Sequence, residues 1–131
     1  MKMVCADTDF IADLERGRAG AITKLDELEE RSETLYTTAI NIAELYHGAH
    51  ASKNSSHALG RIEKIIARFS ILDLDFDSAK LWGKFAEQLK SNIIGELDLF
   101  IASIAIANKQ TLLTRNTKHF ERVPGLTVES W

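Results

Sequence analysis

The feature that most constrains this chain is an alternation of short apolar or β-branched runs with longer stretches of helical periodicity. Met3–Ala6, Leu35–Thr38, Ile71–Leu74 and Thr111–Thr114 are too short for helices, and their composition predicts strands. Between them the apolar residues recur with helical spacing. Asp9 is placed to cap a short helix from Phe10, and Ile22, Leu25 and Leu28 mark a helix over Ala21–Glu30. Asn41 is placed to cap a helix running to Ala51, and a polar segment, Ser52–Ser56, separates it from the stripe Leu59, Ile62, Ile65, Ile66, Phe69. Asp77 is placed as an N-cap, with Phe76 and Leu81 spaced for a hydrophobic staple, before a helix burying Trp82, Phe85, Ala86 and Leu89. After a break at Asn92–Gly95, a nearly all-apolar helix runs from Leu97 or Asp98 to Asn108, a pattern that predicts cover on most sides. Thr127–Glu129, after the Pro124-Gly125 turn, is a candidate fifth strand. The order β-α-α-β-α-α-β-α-α-β-β predicts an α/β fold: a mostly parallel sheet of four to five strands with helices on both faces.

A chain of 131 residues supports one core, and no linker or repeat interrupts it, so a single domain over residues 1–131 is expected. The apolar N-terminal run meets Asp7 too early for a secretory signal, and no run is long enough to cross a bilayer. A cytoplasmic protein with no membrane partner follows as the expectation. Cys5 is the lone cysteine, which leaves no internal disulfide and no cysteine pair for a metal; a buried core residue is the simpler assignment. The net charge of −3 argues against coating nucleic acid by charge alone, but not against an acidic site loaded with a cation.

In parallel sheets the working crevice lies beyond the carboxyl ends of the strands. Asp7 ends strand one. Glu44 falls in the first turn of the helix after strand two, Asp98 begins the helix that returns to strand four, and Asn116 follows strand four. All four converge on that edge. Two like charges about 4 Å apart repel by roughly 4 kcal/mol at a partly screened site. A shared cation or a held proton relieves this. Carboxylates with an amide oxygen suit Mg²⁺ or Mn²⁺, and such ions serve phosphodiester hydrolysis. Each residue has a plainer role when taken singly. Asp7 and Asp9 serve as caps, Asn41 with Glu44 forms a capping box, Asp98 suits a helix N-terminus, and Asn116 suits a turn.

Several segments resemble PIN-domain nucleases: Val4-Cys5-Ala6-Asp7-Thr8-Asp9-Phe10-Ile11, Ile42-Ala43-Glu44-Leu45-Tyr46-His47-Gly48-Ala49, Asp98-Leu99-Phe100-Ile101-Ala102-Ser103-Ile104-Ala105 and Leu113-Thr114-Arg115-Asn116-Thr117-Lys118-His119-Phe120. With the closing Val123-Pro124-Gly125-Leu126-Thr127-Val128, the likeness is to the VapC toxins of toxin–antitoxin pairs. The resemblance implies a PIN-like three-layer α/β/α fold. It implies an Mg²⁺- or Mn²⁺-dependent endoribonuclease that cuts RNA with a metal-activated water and leaves a 5′-phosphate and a 3′-hydroxyl. It maps Asp7, Glu44 and Asp98 onto the metal ligands and Asn116 onto a fourth site position where many relatives carry Asp. Thr8 and Asp9 become supporting residues, and Arg115 a candidate phosphate contact. An acid is common at the position of His119. A homodimer and a VapB-type antitoxin whose tail fills the active-site groove are further implications.

Other assignments have less behind them. Asp7-Thr8-Asp9 is similar to the start of haloacid dehalogenase-like phosphatases, but Ile11 stands where those carry Thr or Val. A receiver domain would use Asp7, Asp9, Asp73 and Lys118 and leave Glu44 and Asp98 without a role. A non-catalytic PIN-like domain that binds RNA or a partner would have no use for three intact acids. His47 and His50 share a helix with Glu44, yet nothing completes a tetrahedral zinc set.

Overall fold

A computed structural model describes residues 3–31, 34–91 and 94–131 of the chain. Its centre is a five-stranded sheet of β1 (Val4–Ala6), β2 (Leu35–Thr38), β3 (Ser70–Leu72), β4 (Thr111–Leu113) and β5 (Thr127–Glu129). The strands lie in the order β3-β2-β1-β4-β5, and every pairing is parallel. The fifth strand therefore joins the sheet, and the mixed character allowed by the sequence is absent among the described strands. Cys5 pairs with Tyr36 on one side and Leu112 on the other, so β1 is the central strand, from which the chain order runs outward in both directions. That is the switch point at which parallel sheets place a ligand crevice.

Successive strand residues face opposite sides. Val4, Ala6 and Leu113 pack with Phe10, Ile11, Leu28 and Leu45 on one face; Cys5 and Leu112 pack with Phe85, Ile101, Phe120 and Val123 on the other. These two cores make the three layers. The first lies under α1 (Thr8–Glu15), α2 (Ala19–Glu30), α3 (Ala39–Ala51) and α4 (Ser55–Ile66). The second lies under α5 (Phe76–Gln88), α6 (Glu96–Ala107) and the short α7 (Thr117–Phe120). α6 buries Leu99, Ile101, Ala102, Ile104 and Ala105, as its unbroken hydrophobicity predicts. Cys5 is fully buried, and that burial pushes its thiol far above the ordinary range, so it is an inert core residue.

Several caps differ from the expected ones. Asp7, not Asp9, caps α1, which lets the helix begin at Thr8 immediately beyond the strand. Thr38 caps α3 and Asn41 occupies the third helical position, where the two close a capping box; Asn41–Glu44 is not the box. This early start puts Glu44 in the second turn of α3. Asp75, not Asp77, caps α5 through Ser78, and its carboxyl is lowered by those Ser78 hydrogen bonds. Phe76 is 77% exposed, so no staple forms there. Ile22 is also exposed, and Ala21 takes its place beside Leu25 and Leu28 on the buried face of α2. The expected break at 92–95 falls partly outside the described residues. Its described end, Gly95, has φ 95°, a left-handed conformation that favours glycine, and α6 starts directly after it.

Candidate functional site

Asp7 sits where β1 ends. Its backbone N–H still bonds the Leu113 carbonyl at 2.9 Å, which extends the ladder one residue past the strand. Its extended φ and ψ then turn the chain into α1 while the side chain caps that helix. The carboxylate is held from three directions. Oδ1 accepts from Thr8 N–H at 2.9 Å and from Asn41 Nδ2 at 3.0 Å, and Oδ2 accepts from Thr114 Oγ1 at 2.8 Å. Asp7 is only 8% exposed. Burial raises its pKa above the usual carboxylate range, Asp98 raises it further, and the hydrogen bonds pull the other way.

Glu44 reaches the same place from α3. Thr8 Oγ1 donates to Glu44 Oε1 at 2.7 Å and accepts from Asn41 Nδ2 at 2.9 Å. Both donors of Thr8 are therefore committed, one to each acid. Burial raises the Glu44 pKa, and the charges of Asp7 and Asp98 add to the rise. Asp98 lies in the first turn of α6, where the helix dipole favours an anion. Its Oδ2 lies 3.0 Å from His119 Nε2. The charges of Asp7, Glu44 and Asp98 thus act on one another at this edge of the sheet.

The remaining candidates are placed differently. Asn116 arrives through its backbone: its N–H donates to Thr114 Oγ1 at 3.1 Å, the hydroxyl that binds Asp7. Its side chain is exposed and forms no hydrogen bond among the described residues. Asp9 Oδ2 accepts from Arg115 N–H at 3.2 Å, while its buried Oδ1 has no partner among the described residues. Burial, with Asp7 beside it, raises the Asp9 pKa to about 6. The Arg115 guanidinium forms an ion pair with Asp13 Oδ2 at 2.7 Å and lies 4.8 Å from the Trp131 ring centre, so it is already engaged within the fold. Trp131 in turn packs edge-on against Phe10. His47 and His50 lie exposed on α3.

Spacing does not reveal Thr38, Asn41 and Thr114 as parts of the site. Asn41 is fully buried, closes the cap of α3, and donates to both Asp7 and Thr8. The legible signal was a polar residue one turn before Glu44 on the same helix.

Neither Asp7 nor Glu44 forms an ion pair with lysine or arginine among the described residues. The donors are all oxygens, the set that a hard divalent cation prefers. Among the described residues, no three His, Cys, Asp or Glu side chains close a cage by themselves. On this chemistry Asp7, Glu44 and Asp98 fit a divalent cation. Beside Glu44 and Thr8 a half-open groove of about 340 Å³ runs between α1, α3 and α4, past Ala12, Arg16, Gly48 and Ile62.

The model of the PIN domain family matches residues 4–126. Ribonuclease VapC2 of Rickettsia felis is 36% identical over 107 residues, 80% of this chain and 80% of that protein. The tRNA(fMet)-specific endonuclease VapC of Salmonella typhimurium is 32% identical over 96 residues, 72% of this chain and 73% of that one. In three dimensions the chain is similar to one in the crystal structure of VapBC2 from Rickettsia felis bound to a DNA fragment from its promoter. The TM-score is 0.91 at 29% identity, over 98% of both chains.

Proposed function

Since this chain belongs to the PIN-domain family, with VapC ribonucleases among its relatives, we propose that it is a divalent-metal-dependent endoribonuclease and the toxin of a toxin–antitoxin pair. The observation that carries the site is the Asp7 carboxylate. It is buried at the central strand's end, held by three hydrogen bonds, and joined by Glu44 and Asp98, with no lysine or arginine among the described residues paired to Asp7 or Glu44.

Asp7, Glu44 and Asp98 would hold Mg²⁺ or Mn²⁺, which when bound supplies an activated water and stabilises charge on the phosphate. The chain's own contribution is orientation. Asn41, Thr8 and Thr114 fix the Asp7 oxygens, and Thr8 ties Glu44 to the same point, so the ligands need little reorganisation. Asn116 stands at the rim with a free amide, available to a substrate oxygen or to a metal-bound water. The groove beside Glu44 gives an RNA strand, or the tail of a VapB-type antitoxin, a path to the acids. Structured RNA is the substrate class of choice, with tRNA(fMet) as the first candidate because a relative carries that name. A phosphatase or receiver assignment loses its basis: the family match covers the chain, and Asp73 lies beyond β3, two strands from Asp7.

The test is cleavage of tRNA and other RNAs by purified protein with Mg²⁺, with Mn²⁺ and with EDTA, beside Asp7→Ala. Cleavage that needs the metal and is lost in the variant supports the proposal. Equal cleavage by parent and variant defeats it, and a metal-replete protein that cuts no RNA points to a non-catalytic domain.

A further inference from the structure

Asp98 is the least secured of the three acids. Asp7 has three donors and Glu44 is tied to Thr8, but the Asp98 carboxylate has one hydrogen-bond partner among the described residues, His119, at 3.0 Å. Its side chain is 34% exposed, so without that partner it is free to rotate in water. His119 itself is well placed. It lies on α7 beside Phe120, which is 1% exposed, and its ring meets the Phe120 ring edge-on at 5.4 Å. The anchor of the ring is therefore the second core, independent of the acids.

We propose that His119 is a positioning residue for Asp98: it takes Oδ2 and leaves Oδ1 as the oxygen available to the active-site cation. As a carboxylate Asp98 only accepts, so the imidazole presents Nε2–H. With Oδ2 held by the imidazole, Oδ1 would be left for the ion, and a mobile acid would become a fixed ligand. Removal of such a partner typically weakens metal binding by about 10–100-fold. The inference rests on Asp98 being a metal ligand, as proposed above.

The test is Mn²⁺ binding to the full chain, without RNA, by calorimetry and by electron paramagnetic resonance of the free ion. Parent, Asp98→Asn, His119→Leu and His119→Gln are compared, with thermal unfolding in EDTA to confirm that each is folded. His119→Leu is expected to bind Mn²⁺ about tenfold more weakly. His119→Gln, whose Nε2–H donates at similar reach, is expected to stay within about threefold of the parent. Parent-like binding by His119→Leu, alongside weak binding by Asp98→Asn, overturns the inference and leaves the site assignment standing. Equal loss in His119→Leu and His119→Gln overturns it too, because packing of the ring would then be the cause. Parent-like binding by Asp98→Asn overturns the site assignment itself. Imidazole ¹⁵N spectra of the parent supply a check that no substitution can confuse: Nε2 is expected to carry the proton, and a bare Nε2 shows that it does not donate to Asp98 and overturns the inference.

Discussion

Asp7 has two structural roles at once, helix cap and buried acid, and the two separate under mutation. Asp7→Asn keeps an oxygen for the Thr8 N–H and removes the charge. It is expected to stay folded and to lower RNA cleavage by at least about a hundredfold, measured with saturating Mg²⁺. Asp9 offers a pH signature. Its folded-state pKa is raised from the ordinary carboxylate value to about 6 by burial and by Asp7. A raised pKa favours the protonated native state. The corresponding stability is therefore fully present below pH 4 and is lost as pH rises through about 6. Asp7 and Glu44 shift in the same direction. In EDTA, Asp9→Asn is expected to raise the thermal midpoint by a few degrees at pH 7.5 and by much less at pH 4.5, read from melting curves across that range. Mg²⁺ is expected to stabilise the parent more at pH 7.5 than at pH 4.5, since protons compete for the same oxygens.

Among the elements, the join between β2 and α3 carries most of the site's rigidity. Thr38 and Asn41 close the cap, and the Asn41 amide then reaches across to Asp7 and Thr8. Asn41→Ala removes a cap partner and leaves buried groups unpaired. The expected loss is about 2–3 kcal/mol in urea unfolding, with cleavage reduced further than stability alone explains. α5 gives the opposite lesson. Phe76 reads as a staple residue but is exposed, whereas Phe85 fills the second core. Phe85→Ala is expected to cost about 3–5 kcal/mol, and Phe76→Ser to change stability by less than about 0.5 kcal/mol, by the same measurement. Helix existence was legible because it rests on apolar period. The start residues were less so, because Asp7 and Asp9, or Asp75 and Asp77, are chemically equal caps, and packing of the first turn chooses between them.

At the scale of the molecule, two cores back to back on one parallel sheet bring residues from the whole chain to one edge. No described helix is long and apolar enough to cross a membrane. The outer surface of α5 and α6 carries Leu97, 51% exposed, beside an open groove of about 380 Å³ lined by Trp82, Leu89 and Leu99. An apolar patch of this kind suits a second copy of the chain. We propose that a second copy of the chain covers this face; the parent is then expected to run as a dimer and Leu97→Glu as a 14.7 kDa monomer, measured by light scattering on a sizing column.

The sequence by itself determined the order of the five strands and of α1 to α6, the parallel sheet, and the placing of Asp7, Glu44 and Asp98 toward its carboxyl edge. Those follow from hydrophobic period and from the topology of parallel strands, which are local or nearly so. It did not show α7, a single turn between β4 and β5 too short to carry an apolar period. Only the tertiary structure decided how the acids are held. Asn41 and Thr114 bind Asp7 from 34 and 107 residues away, and His119 meets Asp98 across 21. A hydrogen bond depends on positions fixed to a fraction of an ångström, and packing sets those positions. The same reason separates Arg115 from its expected place: the sequence offers a free cation beside Asn116, and the fold engages it with Asp13 and Trp131.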